Sequence, residues 1–252
     1  MSVFVLLPTY NERENLASLV GEILQVLPGC RVLVIDDNSP DGTGEIADGL
    51  KAGNSGRVEV LHRLAKDGLG RAYLAGFDFA LQAGADKIIQ MDADHSHPPA
   101  LLPHLIHCCE TYDLALGSRY ISNGGTAGWP LRRKALSWGA NLYARSLLGL
   151  SVKDVTTGFR CFHRRVLASL DLSQITSRGY GFQVEMVYRT LSAGFSVGEV
   201  PFIFKDRIAG RSKMGLGIAY EGALTVLKLK FGLASRDLPG AILGASKIRN
   251  QD

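Results

Sequence analysis

The sequence predicts an α/β fold: a mostly parallel sheet covered by helices, with amphipathic helices toward the C-terminus. Three observations point there. Short, continuously apolar runs alternate with helical stripes over residues 1–120, the pattern of strands buried on both faces by flanking helices. Polar clusters close three of those runs, and open α/β sheets bind ligands beyond the carboxyl ends of their strands. The second half is less regular and carries two long helical patterns.

Residues 3–7 (Val-Phe-Val-Leu-Leu) read as the first buried strand. Leu16, Leu19, Val20, Ile23, Leu24 and Leu27 then mark one helical stripe. Asn11 and Glu14 are spaced as a capping box for that helix, and Pro28-Gly29 ends it. Strands follow at residues 32–35 and 58–61. The second leads into a helix with Leu69, Ala72, Tyr73, Gly76, Phe79 and Ala80 on one side. A strand ending at Asp92, a helix over 98–111 and a short strand at 114–116 complete the regular half. Beyond it we expect a basic amphipathic helix over Leu131–Leu148 and a loop holding Thr156-Thr157-Gly158-Phe159-Arg160. A helix should follow Tyr180-Gly181-Phe182, then a strand near 196–204 and a basic loop over 205–213. The final apolar helix is expected over 216–233, before a loose tail.

With 252 residues, 46% of them hydrophobic, the chain can bury the core of one large α/β domain with an appendage, or of two small domains at most. A net charge of +4 and the lack of an aromatic-basic repeat argue against nucleic acid as a partner. Cys30, Cys108, Cys109 and Cys161 show no metal-type spacing and read as buried thiols in a reducing compartment. Met1 runs straight into strand-like residues without the basic region or cleavage site of a secretory signal. No stretch reaches the roughly 18 uninterrupted apolar residues of a membrane span; residues 216–233 are broken by Glu221, Lys228 and Lys230. The expectation is a cytoplasmic protein, soluble or bound to a membrane surface.

The strongest chemical signal is Asp92-Ala93-Asp94, where an apolar strand opens into a loop. Strand alternation would put positions 92 and 94 on one face, so both carboxylates could hold one hard divalent cation. The alternative is two solvated turn acids ahead of Pro98-Pro99. Pro8-Thr9-Tyr10-Asn11-Glu12 reads either as a nucleoside rest or as a rigid turn with a helix cap. In Asp36-Asp37-Asn38-Ser39-Pro40-Asp41-Gly42-Thr43, Ser-Pro-Asp-Gly is turn chemistry; the two leading acids suit base N–H or ribose hydroxyl groups. Gly68-Leu69-Gly70 lacks the third glycine of a dinucleotide fingerprint, and no Walker-type phosphate loop occurs. His95 and His97 would suit zinc, but carboxylate-rich strand ends favour magnesium or manganese, so these histidines are read as shaping the loop.

These segments occur in order with Gly117-Ser118-Arg119-Tyr120, Tyr180-Gly181-Phe182-Gln183-Val184-Glu185, Asp206-Arg207 and Ser212-Lys213. Together, from about residue 3 to 230, they closely resemble the dolichol-phosphate (polyprenyl-phosphate) mannose synthases of glycosyltransferase family 2. The resemblance implies a GT-A fold, a GDP-mannose donor and a Mg²⁺ or Mn²⁺ ion between the Asp pair and the diphosphate. It implies that Pro8, Tyr10, Glu12, Ile35 and Asp37 hold the guanosine, and that Asp92, Ala93 and Asp94 hold the metal and donor sugar, Asp94 as principal ligand. Arg119, Arg207 and Lys213 would face phosphate groups, whereas Arg211 reads as a solvated charge. Ser96 stands where some relatives carry a metal-binding Gln, and the resemblance then implies that its hydroxyl or a bridging water would substitute. Residues 1–233 would form the catalytic domain, with a nucleotide-sugar half (1–120) and an acceptor half (121–233), and 234–252 a tail.

The implied acceptor is a polyprenyl phosphate. Its second pKa is about 6, so it attacks the anomeric carbon without a protein base, and the protein supplies charge neutralisation and alignment. Arg132, Arg133 and Lys134 begin a helix carrying Leu136, Trp138, Leu142, Tyr143, Leu147 and Leu148; such helices lie at lipid surfaces or pack on their own domain. Three rival readings remain. One is the same lipid with another nucleotide sugar such as UDP-glucose. Another is a non-catalytic nucleotide-sugar-binding regulatory subunit. The third is an enzyme that needs a hydrophobic anchoring partner. The absence of Gln-x-x-Arg-Trp counts against a processive polysaccharide synthase.

Overall fold

A computed structural model describes residues 1–177, 179–205 and 216–232. The elements in chain order are β1 (Val3–Thr9), α1 (Leu16–Val26), β2 (Cys30–Asp36), α2 (Thr43–Gly53), β3 (Val58–His62) and α3 (Leu69–Gln82). Next come β4 (Lys87–Gln90), α4 (Leu102–Thr111) behind one 3-10 turn, β5 (Leu114–Ser118), β6 (Gly125–Thr126) and α5 (Leu131–Leu148). The described chain closes with β7 (Arg160–His163), α6 (Arg164–Ser169), α7 (Gly179–Ser192), β8 (Val197–Pro201), β9 (Ile203–Phe204) and α8 (Leu216–Lys230).

Seven strands form one sheet in the order β3-β2-β1-β4-β7-β5-β8, and β6 pairs with β9 in a small second sheet. All neighbours in the main sheet are parallel except β7, which runs antiparallel to β4 and β5. Alternate strand residues enter two separate cores, which is why the strands are apolar without a polar period. Phe4, Leu6, Leu33, Ile35 and Ile88 pack with Tyr73, Phe77 and Phe182 on one side. Val5, Leu7, Val32, Val34 and Ile89 pack with Leu16, Leu19, Ile23 and Leu105 on the other. Helix α3 lies close enough that a Cβ on Gly76 would sit 2.5 Å from Ile35 Cδ1. Chain order reverses at β1, which has β2 on one side and β4 on the other. The crevice at that switch point is where α/β sheets hold ligands.

Several expectations need correction. Residues 156–159 form the expected loop, but Arg160 opens strand β7, which the sequence did not announce, and this antiparallel strand makes the mostly parallel sheet a mixed one. Its Arg160-Cys161-Phe162-His163 sequence lacks the apolar continuity of its neighbours. The capping box of Asn11 and Glu14 does not form: α1 starts at Leu16 behind Asn15, which makes no side-chain cap, and Asn11 has φ 59°. Strand β4 stops at Gln90, so Asp92 and Asp94 lie in the loop beyond it, where strand alternation no longer applies. Tyr180-Gly181-Phe182 belongs to the first turns of α7, and the strand expected near 196–204 is split at Phe202 into β8 and β9. Helix α5 has the expected bounds. The basic loop from residue 206 on, with Arg207, Arg211, Ser212 and Lys213, and the tail at 234–252 lie outside the described residues.

Candidate functional site

A cavity of about 500 Å³ opens at the switch point, a volume in the range of small-molecule sites. Pro8, Thr9, Tyr10 and Glu12 line it from the end of β1, Asp37 from the end of β2, and Asp92, Ala93 and Asp94 from the exit of β4. Three separated clusters thus meet because parallel strands end side by side. Lys66, Thr156, Gly158, Tyr180, Gln183 and Glu221 complete the wall, and motif reading singled out none of them as site residues. Lys66 places its ammonium 3.9 Å from the centroid of the Tyr10 ring, a cation–π distance. A lone lysine in the loop between β3 and α3 carries no pattern that would announce this.

The two leading acids at the end of β2 have different tasks. Asp36 is 2% exposed and closes its own turn: Oδ1 accepts from Thr9 Oγ1 at 3.0 Å and Ser39 Oγ at 2.6 Å, and Oδ2 from the Ser39 N–H at 3.0 Å. Asp37 faces the cavity and pairs with Arg63. Burial raises the Asp37 pKa above the usual carboxylate value, and the Arg63 cation only partly offsets this. Ile35, expected to hold the guanosine, keeps its side chain fully buried in the core, and its carbonyl accepts from Thr9 Oγ1 at 3.4 Å at the strand end.

The Asp92–Asp94 loop is fixed from below. His97 Nδ1 accepts the Asp92 N–H at 2.9 Å, which leaves the other ring nitrogen to carry the proton. Its ring stacks on Phe159 at 4.9 Å, with Phe202 and Phe204 edge-on. Burial in that layer lowers the His97 pKa, so the imidazole is neutral. Tyr73 Oη donates to the Met91 carbonyl at 3.1 Å and reaches Asp92 Oδ1 at 3.4 Å. His95 takes a left-handed φ of 60°, with Nε2 3.0 Å from Ser18 Oγ. Both histidines therefore shape the loop, as expected.

A divalent cation fits this site on the following grounds. Asp92 and Asp94 offer hard oxygen donors to one cavity, while His97 is already committed to the backbone. Ser96, whose N–H donates to Asp94 Oδ1 at 3.1 Å, has a buried hydroxyl with no hydrogen-bond partner. That hydroxyl does not line the cavity. Among the described residues no group of three or more His, Cys, Asp and Glu is arranged to hold a metal. An ion here would therefore complete its shell with ligand phosphate and water, the usual habit of magnesium.

Arg119 lies elsewhere. Its guanidinium is bidentate on Asp154, Nε to Oδ2 at 2.7 Å and Nη2 to Oδ1 at 2.8 Å, and Nη2 also donates to Thr156 Oγ1 at 2.8 Å. The pair is buried, with side-chain exposures of 6% and 0%. Burial works against the cation, but Asp154 outweighs it and the net Arg119 pKa shift is upward. Arg119 lines a second cleft of about 460 Å³ with Tyr120, Trp129, Leu131, Lys134 and Trp138, whereas Thr156 lines the first cavity. It thus connects the two hollows instead of entering the first. Asp154 was missed because an isolated acid in a polar loop looks like turn chemistry.

Residues 4–171 match glycosyl transferase family 2. The chain is 46% identical over 236 residues to an undecaprenyl-phosphate mannosyltransferase of Micrococcus luteus, covering 94% of this chain and 96% of the relative. It is 49% identical over 211 residues to a polyprenol monophosphomannose synthase of Mycolicibacterium smegmatis, covering 83% and 80%. Among solved structures, glucosyl-3-phosphoglycerate synthase of Mycobacterium tuberculosis with Mn²⁺, UDP-glucose and phosphoglyceric acid superposes with a TM-score of 0.66 at 20% identity, covering 91% of this chain and 80% of that one. The same enzyme with Mg²⁺ and UDP gives 0.66 at 20% identity, over 91% and 79%. These similarities share the GT-A architecture described above, and the chain belongs to glycosyltransferase family 2.

Proposed function

We propose that this glycosyltransferase moves mannose from GDP-mannose to a polyprenyl monophosphate, with inversion at the anomeric carbon and with Mg²⁺ or Mn²⁺. One observation carries the reading: identity of 46% along nearly the whole chain to a relative named for undecaprenyl phosphate and mannose. The geometry supports it. The first cavity is large enough for a nucleotide sugar and ends in the Asp92/Asp94 pair; the second cleft joins cationic Arg119 and Lys134 to two tryptophans, which suits a phosphate on a lipid.

Tyr10, with Lys66 over its ring, would rest a base, while Glu12 and Asp37 accept hydrogen bonds from base or ribose and Pro8 shapes the turn. Asp92 and Asp94, with Ser96 behind them, would hold the cation, which when bound neutralises charge on the departing diphosphate. Arg119 would orient the acceptor phosphate, and Arg207 and Lys213 would add positive charge from outside the described residues. The acceptor needs no protein base, since its second pKa is about 6. The residues' work is to align two anions and offset their repulsion.

Membrane attachment rests on α5. Leu131 (82% exposed), Trp138 (57%) and Leu142 (41%) fall on one helical stripe of the helix that carries Arg132, Arg133 and Lys134 in its first turn. Such a face seats in the headgroup region of a lipid surface, here the cytoplasmic leaflet. Among the described residues no helix is long and apolar enough to cross a membrane. Residues 1–233 would act as one catalytic domain. The test is incubation with polyprenyl phosphate in anionic vesicles and a panel of GDP and UDP sugars, followed by lipid mass spectrometry and flotation. Mannolipid from GDP-mannose on floated protein is expected; preference for a UDP sugar, or protein left at the bottom, overturns the donor or the membrane assignment respectively.

A further inference from the structure

Of the eighteen residues of α5, only Asn141 and Ala144 are buried. Asparagine is a poor helix former, and a buried amide demands partners for both of its ends. Asn141 has them, and they lie in one segment: Nδ2 donates to the Lys153 carbonyl, and Oδ1 accepts the Val155 N–H at 2.9 Å. The residue between those partners is Asp154, the carboxylate that carries Arg119.

Side chains, not secondary structure, suspend this segment. Glu199 of β8 accepts the N–H groups of Lys153 at 2.8 Å and Asp154 at 3.0 Å. Arg160 of β7 donates to the carbonyls of Val155 at 3.1 Å and Thr157 at 2.8 Å. Asn141 is the contribution of the helix that also supplies Leu131, Lys134 and Trp138 to the cleft opposite Arg119. A second tie, Tyr120 Oη to Ser137 Oγ at 2.8 Å, joins the same helix to the residue after Arg119.

We propose that Asn141 is a positioning residue for the acceptor. Its amide sets how far α5 stands from the Asp154–Arg119 pair, and so fixes the cleft in which a lipid phosphate meets the donor cavity. The inference rests on the function proposed above and adds to it a residue that touches neither substrate. The nucleotide end of the cavity should not sense the change. That end stands on β1 and β2, whose loops are tied to each other by Thr43 Oγ1 at the Glu12 N–H (3.0 Å) and Ser39 Oγ at the Asn11 N–H (3.1 Å).

The test uses full-length Asn141→Leu and Asn141→Asp, with polyprenyl phosphate titrated in vesicles and GDP binding followed by calorimetry with Mn²⁺. Asn141→Leu should lower kcat/KM for the lipid phosphate by about tenfold or more, the cost of stranding buried backbone groups, with GDP affinity changed less than about twofold. Asn141→Asp discriminates further. A protonated carboxyl can donate to Lys153 and accept from Val155 as the amide does, while the ionised form can only accept. The charged groups on and against this segment are Lys153, Asp154, Glu199, Arg119 and Arg160. Its activity relative to wild type, which cancels the acceptor's own titration, should recover as pH falls.

Acceptor and nucleotide parameters falling in step, or a flat Asn141→Asp ratio across pH, would reduce Asn141 to a packing residue and overturn the proposal. Wild-type enzyme inactive on polyprenyl phosphate would instead defeat the functional reading, and this inference with it. Active wild type with an unimpaired Asn141→Leu would defeat this inference alone.

Discussion

Replacing Asp154 with Asn should unfold the protein far more readily than a surface change, and removing Arg119 as well should restore much of the loss. The carboxylate has no exposed surface and accepts from the Arg119 backbone N–H at 3.0 Å and from Nε and Nη2 at 2.7 and 2.8 Å. An amide in its place keeps one acceptor, turns a donor toward the guanidinium and leaves that cation buried without a counter-charge. Breaking one side of a buried pair costs about 3–5 kcal/mol. For a chain of this size that corresponds to a Tm decrease of roughly 6–20 °C. In Asp154→Asn/Arg119→Met the Arg119 charge is no longer stranded, while any loss at buried Arg160 is common to both Asp154 variants and cancels, so the double variant should regain at least about 2 kcal/mol over the sum of the two singles. Urea unfolding of the four proteins yields this coupling energy. A coupling below about 0.5 kcal/mol, the worth of an exposed pair, would refute the claim that the two groups form one buried unit.

Two glycines should respond in opposite directions. A Cβ at Gly124 would lie 2.5 Å from the Ser118 carbonyl and 3.0 Å from the Arg119 carbonyl carbon, backbone atoms that cannot swing aside. Gly124→Ala should therefore cost about 1–3 kcal/mol and lower transfer by displacing Arg119. Gly139, inside α5 with nothing within 4 Å of its notional Cβ, should gain up to about 1 kcal/mol as Ala; equal effects at the two sites in thermal melts would contradict the geometry. Burial pushes the Cys30 thiol from 9.0 up to about 11. With its folded value above the unfolded one, the native state holds the proton more tightly, so stability falls as pH rises through that interval. Iodoacetamide at pH 8 should spare Cys30 in the folded protein, and labelling at the rate of a free thiol would show the burial to be wrong.

The parallel core was legible because β1, β2 and β4 are apolar on both faces and their polar ends mark the switch point. Strand β7 was not, since Arg160 looks like a solvated loop residue. In the fold it is completely buried and bonds to two carbonyls, and desolvation lowers its pKa to about 9. The cavity's outline was legible for the same topological reason: Pro8, Tyr10, Glu12, Asp37, Asp92 and Asp94 sit at neighbouring strand ends and do meet. Ile35 turns its side chain into the core, so at this strand end its carbonyl is what meets the neighbouring loop. Arg119 was placed by motif, but its partner Asp154 comes from 35 residues downstream, and no local pattern encodes that pairing. Lys66 and Asn141 escaped likewise, each meaningful only through tertiary neighbours.

In the proposed function Asp92 and Asp94 clamp a cation which grips the donor diphosphate. Calorimetric titration of GDP, with Mn²⁺ and with chelator, into wild type and Asp94→Asn tests it most directly. At least about tenfold tighter binding with the metal is expected in wild type, a gain of about 1.4 kcal/mol, and no such gain in Asp94→Asn at unchanged Tm. Equal affinity with and without metal in wild type, or a metal effect that survives the substitution, would contradict it.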